Sequence, residues 1–225
     1  LIGGCGLGIA MISFIYSITN TTAAITLLCL AAMPFFTALL AFLFLKERIS
    51  FNVWISIIIA TIGILIMAIG NTEKSSIIGF IFGITSSIGF SIFSVTLRWR
   101  KETPKFTTVA VAGLFCFLVA TIMILTKNQP FFSTSYNSSM FSLHGTLVCL
   151  GLILYSIGSK AIPAAELTLL SLTEVIGGIF WVWLPLFGIN EVPSTNTIIG
   201  GFFLFVSLVY YSLIMRWNKR YIALN

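Results

Sequence analysis

Apolar stretches long enough to cross a bilayer follow one another almost from end to end of the chain, and polar residues fall in short runs between them. A helix rising 1.5 Å per residue needs about 20 apolar residues to span a hydrocarbon core about 30 Å thick. This pattern predicts eight spans, at residues 1–18, 22–45, 53–70, 77–97, 106–126, 143–159, 164–186 and 197–215. The interruptions are stretches that lipid excludes, such as Asn20-Thr21-Thr22, Lys46-Glu47-Arg48, Asn71 to Lys74, Arg98 to Lys105, Lys127 to Ser142 and Gly188 to Asn196. Only helices satisfy their own backbone hydrogen bonds over such runs, so the fold expected is an all-α polytopic membrane protein.

Composition agrees. The chain is 58% hydrophobic and 8% charged, against roughly 25% charged in a soluble domain. Its net charge of +6 is not a nucleic-acid signal, because the charges cluster at the ends of spans. With Leu1 on the cytoplasmic side and alternating spans, Lys46, Arg48, Arg98, Arg100, Lys101, Lys105, Lys160, Arg216, Lys219 and Arg220 fall inside. Only Lys74 and Lys127 of the 12 basic residues fall outside. That bias follows the positive-inside rule and places both ends of this chain in the cytoplasm, in a multi-pass protein of the cell (inner) membrane. The long external loop 127–142 carries Phe131, Phe132 and Tyr136 as interfacial aromatics, as Trp181 and Trp183 are at the external end of the seventh span. Cys5, Cys29, Cys116 and Cys149 lie in apolar runs without paired spacing and read as buried thiols. Phosphate loops, His-Glu-x-x-His and Cys-x-x-Cys are absent and there is one His. No enzyme chemistry, cofactor or metal is expected.

Two regions echo each other. Thr26-Leu27-Leu28-Cys29-Leu30 is matched by Thr168-Leu169-Leu170-Ser171-Leu172, with Ala pairs just upstream at Ala23-Ala24 and Ala164-Ala165. Downstream, Leu45-Lys46-Glu47-Arg48-Ile49-Ser50 is echoed by Ile189-Asn190-Glu191-Val192-Pro193-Ser194. The echoing helices are the second and seventh spans. Five steps apart is an odd number, so the second copy is inverted relative to the first. Inverted repeats are a recurrent plan of secondary transporters, with the solute bound near the midplane where the copies meet. Completing the symmetry requires two helices upstream of Leu1. The expected division is 1–70 for the last three helices of the first repeat and 71–225 for a second repeat of five.

Residues 31–50 (AAMPFFTALLAFLFLKERIS) and 162–194 (IPAAELTLLSLTEVIGGIFWVWLPLFGINEVPS) resemble the EamA-type domains of the drug/metabolite transporter superfamily. In that family a helix ending in a Glu-containing turn precedes one more span, twice per chain. The resemblance implies ten helices, an inverted repeat, and export or exchange of small metabolites across the cytoplasmic membrane. Pro34 has Ile176 or a neighbour as its counterpart, and Asn190 stands where the first copy has Lys46.

Glu174 is the sharpest functional candidate. It lies roughly 15 Å along the seventh span, near mid-bilayer, where an acidic residue costs on the order of 2.5–3.5 kcal/mol. It would hold a proton or a cationic group in a cavity, or else be a hydrogen-bonded structural glutamate. Glu166 lies about 80° from it around the helix, close enough for both to border one cavity, and Thr173 lies about 20° from Glu166. Ser171, Thr26, Cys29, Tyr16 and Tyr155 complete the candidate cavity wall, each also open to a purely structural role. Gly79, Gly83, Ser87 and Ser91 form a small-residue stripe, read as helix packing.

The function expected is secondary active transport or export of small polar, amino-acid-like solutes by alternating access. An accessory membrane subunit, or an intramembrane enzyme acting on a lipid-linked substrate, is the alternative. The partners expected are a small-molecule substrate and the lipid bilayer, with a homodimer left open and no nucleic acid.

Overall fold

The computed structural model describes residues 1–47, 49–69, 77–99, 105–128, 130–131, 134–184 and 194–224. Ten α-helices occupy them: α1 Ile2–Asn20, α2 Ala23–Leu30, α3 Met33–Leu40, α4 Phe51–Ile69, α5 Ile77–Trp99, α6 Lys105–Thr126, α7 Ser135–Gly158, α8 Ala164–Leu170, α9 Leu172–Trp183 and α10 Thr195–Leu224. A wide π-helical turn, Ala41–Leu45, prolongs α3. The chain is an all-α polytopic membrane protein. Five helical stretches have the length and hydropathy to cross a membrane, and α4 and α10 carry shorter apolar runs among the described residues.

The seven-residue α8 and twelve-residue α9 together make the seventh expected span. The second is divided as well, between α2 and α3. Both divisions are kinks the apolar pattern did not announce. One helix begins earlier than the apolar pattern places it: α7 starts at Ser135, so Tyr136 to Ser142, expected in a loop, are helical. Thr134 caps it by accepting from the Asn137 N–H at 3.3 Å, and the Ser139 and Ser142 hydroxyls bond to carbonyls one turn back. Polar side chains satisfied in this way let a helix run on past its apolar part. Of the basic residues used for orientation, Arg48, Lys74, Arg100 and Lys101 lie outside the described residues, as does most of the second Glu-containing turn.

Small residues set how the helices approach. A Cβ on Gly3 would meet Thr96 at 2.9 Å, and one on Gly4 would meet Val111 at 2.5 Å, so α1 lies against the end of α5 and the start of α6. At the opposite face a Cβ on Gly79 would stand 2.9 Å from Thr21, so the start of α5 meets the end of α1. α1 and α5 therefore run in opposite directions and α6 runs with α1, as the polar interruptions require. Lys46, Arg98 and Lys160 share one face, called here the basic face, and Lys127 ends α6 at the other.

The broken spans pack reciprocally at the centre, α2 against α9 and α3 against α8, while α4 pairs with α10. Leu28, Met33, Ala165, Leu169, Leu172 and Val175 from these pieces join Val53, Ile57, Leu204 and Leu208 of α4 and α10 in one apolar core. α4 and α10 cross at Gly63, where an added Cβ would lie 2.6 Å from the Gly200 carbonyl oxygen, and Ser207 Oγ donates to the Ser56 carbonyl at 2.7 Å. Gly63→Ala is expected to cost about 1–3 kcal/mol by overpacking this crossing, seen as a lower Tm in detergent. Gly151→Ala on α7, where a Cβ meets nothing within 4 Å, is expected to leave Tm unchanged or slightly raised.

Candidate functional site

The kink between α2 and α3 has a covalent cause. Pro34, at the start of α3, lacks the N–H that would pair with the Leu30 carbonyl. Ala31 and Ala32 adopt ψ values of −13° and −8°, near the 3₁₀ range, and the Ala32 N–H turns to the Cys29 carbonyl at 3.1 Å. At the α8–α9 kink there is no proline. There Ser171, with ψ −10°, donates its hydroxyl to the Thr168 carbonyl at 2.7 Å, and Thr173 donates to Leu170 at 2.9 Å. Side-chain donors competing for ladder carbonyls bend a helix.

A neighbouring helix answers the first kink. Ser87 Oγ donates to the Cys29 carbonyl, and Ser91 Oγ lies 3.2 Å from the Met33 carbonyl and 2.8 Å from its own Ser87 carbonyl. A Cβ on Gly83, one turn away, would sit 2.7 Å from that of Cys29. The stripe Gly79-Gly83-Ser87-Ser91 is thus a packing seam and also a set of donors for loosened backbone.

Thr26 and Cys29 belong to this seam. Thr26 is fully buried and its hydroxyl pairs with Ser17 Oγ at 3.0 Å. Cys29 is buried with Sγ directed at the Phe80 carbonyl, 4.0 Å away. Tyr16 stacks on Phe82 with ring centroids 5.1 Å apart, and its hydroxyl reaches Met123 Sδ at 3.4 Å. These three side chains are engaged in holding α1, α2, α5 and α6 together.

Tyr155 sits elsewhere, in an aromatic group on the basic-face side. Its ring meets Phe90 edge-on at 5.1 Å and stacks on Phe93 at 5.9 Å, and its hydroxyl pairs with Ser94 Oγ at 2.8 Å. Glu174, in the first turn of α9, has Tyr155 as its electrostatic neighbour. Its side chain is accessible, and among the described residues no hydrogen bond or ion pair engages its carboxyl.

Glu166 does not join it. Tyr211 of α10 donates to Glu166 Oε2 at 2.6 Å, and Thr173 faces the same helix, lining an open groove of about 410 Å³ with Ile176, Phe205, Leu208 and Ser212. Among the described residues the two carboxylates thus have different neighbours, Tyr211 for Glu166 and Tyr155 for Glu174. The 80° spacing assumes an unbroken helix, whereas the kink at Ser171 lies between them, with Glu166 on α8 meeting α10 and Glu174 on α9 near Tyr155 of α7. Ser171 is spent on the kink.

Several residues here escaped the sequence reading. Ser94 and Phe90 continue the α5 face that bears Ser87 and Ser91, and that continuation was the available signal, whereas Phe93 lies on another face of α5. Tyr211 carries none.

The described residues form a multi-pass bundle whose central spans are kinked and packed on each other, with no partner for the Glu174 carboxyl among them. Residues 1–69 match the model of the EamA-like transporter family. An "uncharacterized transporter" of Helicobacter pylori strain J99 is 26% identical over 183 residues, covering 77% of this chain and 60% of its own. An "uncharacterized transporter" of Clostridium kluyveri is 24% identical over 222 residues, 92% of this chain and 68% of its own. One solved crystal structure superposes with a TM-score of 0.69 at 16% identity, over 94% of this chain and 76% of that one, a likeness of fold. The chain spans about 60% of the length of the Helicobacter relatives it resembles.

Ser87→Ala is expected to cost about 1 kcal/mol, since the Cys29 carbonyl keeps the Ala32 N–H but loses its second donor. Thr85→Ala, on the exposed face of the same helix, is the control. Thermal unfolding in detergent should lower Tm for the first and not for the second.

Proposed function

We propose that this chain is the larger part of a secondary transporter that moves small polar, amino-acid-like solutes across the cytoplasmic membrane by alternating access. The reciprocal packing of two broken helices, α2 on α9 and α3 on α8, carries this reading. Two spans that kink at matching places and cross at the centre are what an inverted repeat requires, and in transporters the solute site lies where such helices meet. The repeat divides the chain at residue 70, with the last three helices of one half before it and five helices of the other after it. The basic face is the cytoplasmic one, because the positive residues gather there.

Glu174 is the solute-binding or proton-binding carboxyl. A group that is costly in hydrocarbon and not neutralised by a protein partner is kept where its function needs it. Tyr155, with its hydroxyl fixed by Ser94, and Phe90 present a polar edge and aromatic surface toward the same region. One carboxyl beside aromatic rings suits a cationic or zwitterionic amine better than a multiply charged anion. Movement of the solute, with no bond made or broken, is the whole of the activity, and a gradient or an exchanged solute drives it.

The test is uptake of a panel of labelled amino acids and amines into proteoliposomes holding the full-length protein. At least one solute is expected to move, and Glu174→Gln is expected to cut its rate by roughly tenfold or more, as loss of a charge-assisted contact would. Unchanged transport and unchanged pH dependence in Glu174→Gln would remove Glu174 from the site.

A further inference from the structure

We propose that Arg98, Glu47 and the Lys160 carbonyl form a latch that closes the basic face between the two broken helices. The proposal rests on the alternating-access reading and adds the element that holds one of its gates. Arg98, on the last turn of α5, makes a 2.8 Å ion pair from Nε to Glu47 Oε1, and its Nη1 donates to the Lys160 carbonyl at 3.2 Å. Glu47 lies just past the π turn that ends the α3 span, and Lys160 lies just before α8. One guanidinium therefore ties the basic-face end of one broken helix to that of the other, and anchors both to α5.

The local backbone serves this contact. The π turn ends at Lys46, whose left-handed φ of 54° reverses the chain, and the Glu47 N–H bonds back to the Ala41 carbonyl at 3.3 Å. A non-glycine residue held left-handed is an uncommon conformation that its surroundings must maintain. Here it returns Glu47 over the end of the bundle. Arg98 is 16% exposed and Glu47 26%, so the pair is shielded from water on most sides. It is also the one ion pair among the described residues.

Beneath the latch lies an apolar seal. Ala41, Val95 and Ala164 are buried against each other, with Leu40 and Leu45 around them. They come from the same three parts of the chain that the latch joins. Next to Val95, one turn in from Arg98 on α5, Ser94 holds Tyr155, which packs on Phe90 deeper in the bundle and has Glu174 as its electrostatic neighbour. From the basic face inward the order is ion pair, seal, aromatic group, carboxyl. With the pair intact, α3 and α8 stay together and the route to Glu174 from this face is shut. Opening it requires Arg98 to release Glu47 or Lys160, a two-state contact of the sort that gates hinge motions.

The test uses the full-length protein in membrane vesicles, its native cysteines replaced by alanine and Ala164→Cys as reporter in the seal. A membrane-impermeant maleimide is applied to each face in turn, so the readout needs no known solute. With the latch intact, labelling from the basic face is slow. Glu47→Gln and Arg98→Gln are each expected to speed it roughly tenfold, with no rise from the opposite face. The reversed pair, Glu47→Arg with Arg98→Glu, is expected to bring the rate back toward the slow value. Arg98→Lys, which keeps the charge and loses the second donor, should fall between. Unchanged labelling in both single variants overturns the latch. So does labelling that rises equally from both faces, since that is general loosening. Neither result bears on whether a solute moves in proteoliposomes, which decides the transport reading separately.

Discussion

A helix broken inside a bilayer must find partners for the backbone groups the break releases, because no water is there to take them. That constraint governs the centre of this protein. Pro34 withholds one N–H, the chain through Ala31 and Ala32 tightens, and α5 supplies hydroxyls from Ser87 and Ser91 to carbonyls of the kinked span. The glycine at position 83 lets α5 come near enough to do so. In the other broken span the competing donors are internal, from Ser171 and Thr173. One kink thus depends on a neighbouring helix and the other on its own side chains. The two halves of the centre are accordingly coupled differently to α5.

α5 is the strut of the account. Along its length, in order, it meets the end of α1, braces the first kink, fixes Tyr155 through Ser94, seals the basic face with Val95, and ends in Arg98. A small tilt of α5 would change the latch, the aromatic group and the kink together. Packed interfaces of this kind move between discrete arrangements rather than deform smoothly. That is the physical content which the proposal of alternating access gives this chain.

The architecture was legible in the sequence where hydrophobicity alone decides it. Eight apolar runs, their alternation and the small-residue stripe on α5 all have direct counterparts in the fold. The kinks were not legible: Pro34 was visible but Ser171 looked like any hydroxyl, and a period of apolar residues does not record which carbonyls are diverted. The start of α7 was misplaced because Tyr136 to Ser142 look like loop by polarity, while their hydroxyls satisfy the helix locally. Candidate cavity residues divided along the same line. Residue type flagged Thr26, Cys29 and Tyr16, yet the partners of their side chains, Ser17, the Phe80 carbonyl and Phe82, are set by tertiary contact that a sequence does not record. By sequence spacing Glu166 borders the same cavity as Glu174, the sharper candidate, but Tyr211, far along the chain, bonds to its carboxylate.

The most direct measurement of the central claim is a pair of distance distributions on the full-length protein in nanodiscs, taken by electron spin resonance. One pair of spin labels, at Phe44→Cys and Ala161→Cys, reports the basic-face ends of the two broken helices. The other, at Asn20→Cys and Trp181→Cys, reports the opposite face. All four positions are exposed. The account predicts two populations for each pair, with conditions that lengthen one shortening the other. A single distance at both faces, unmoved by solutes, pH or loss of the Arg98–Glu47 pair, would contradict it and leave a rigid bundle in place of a transporter.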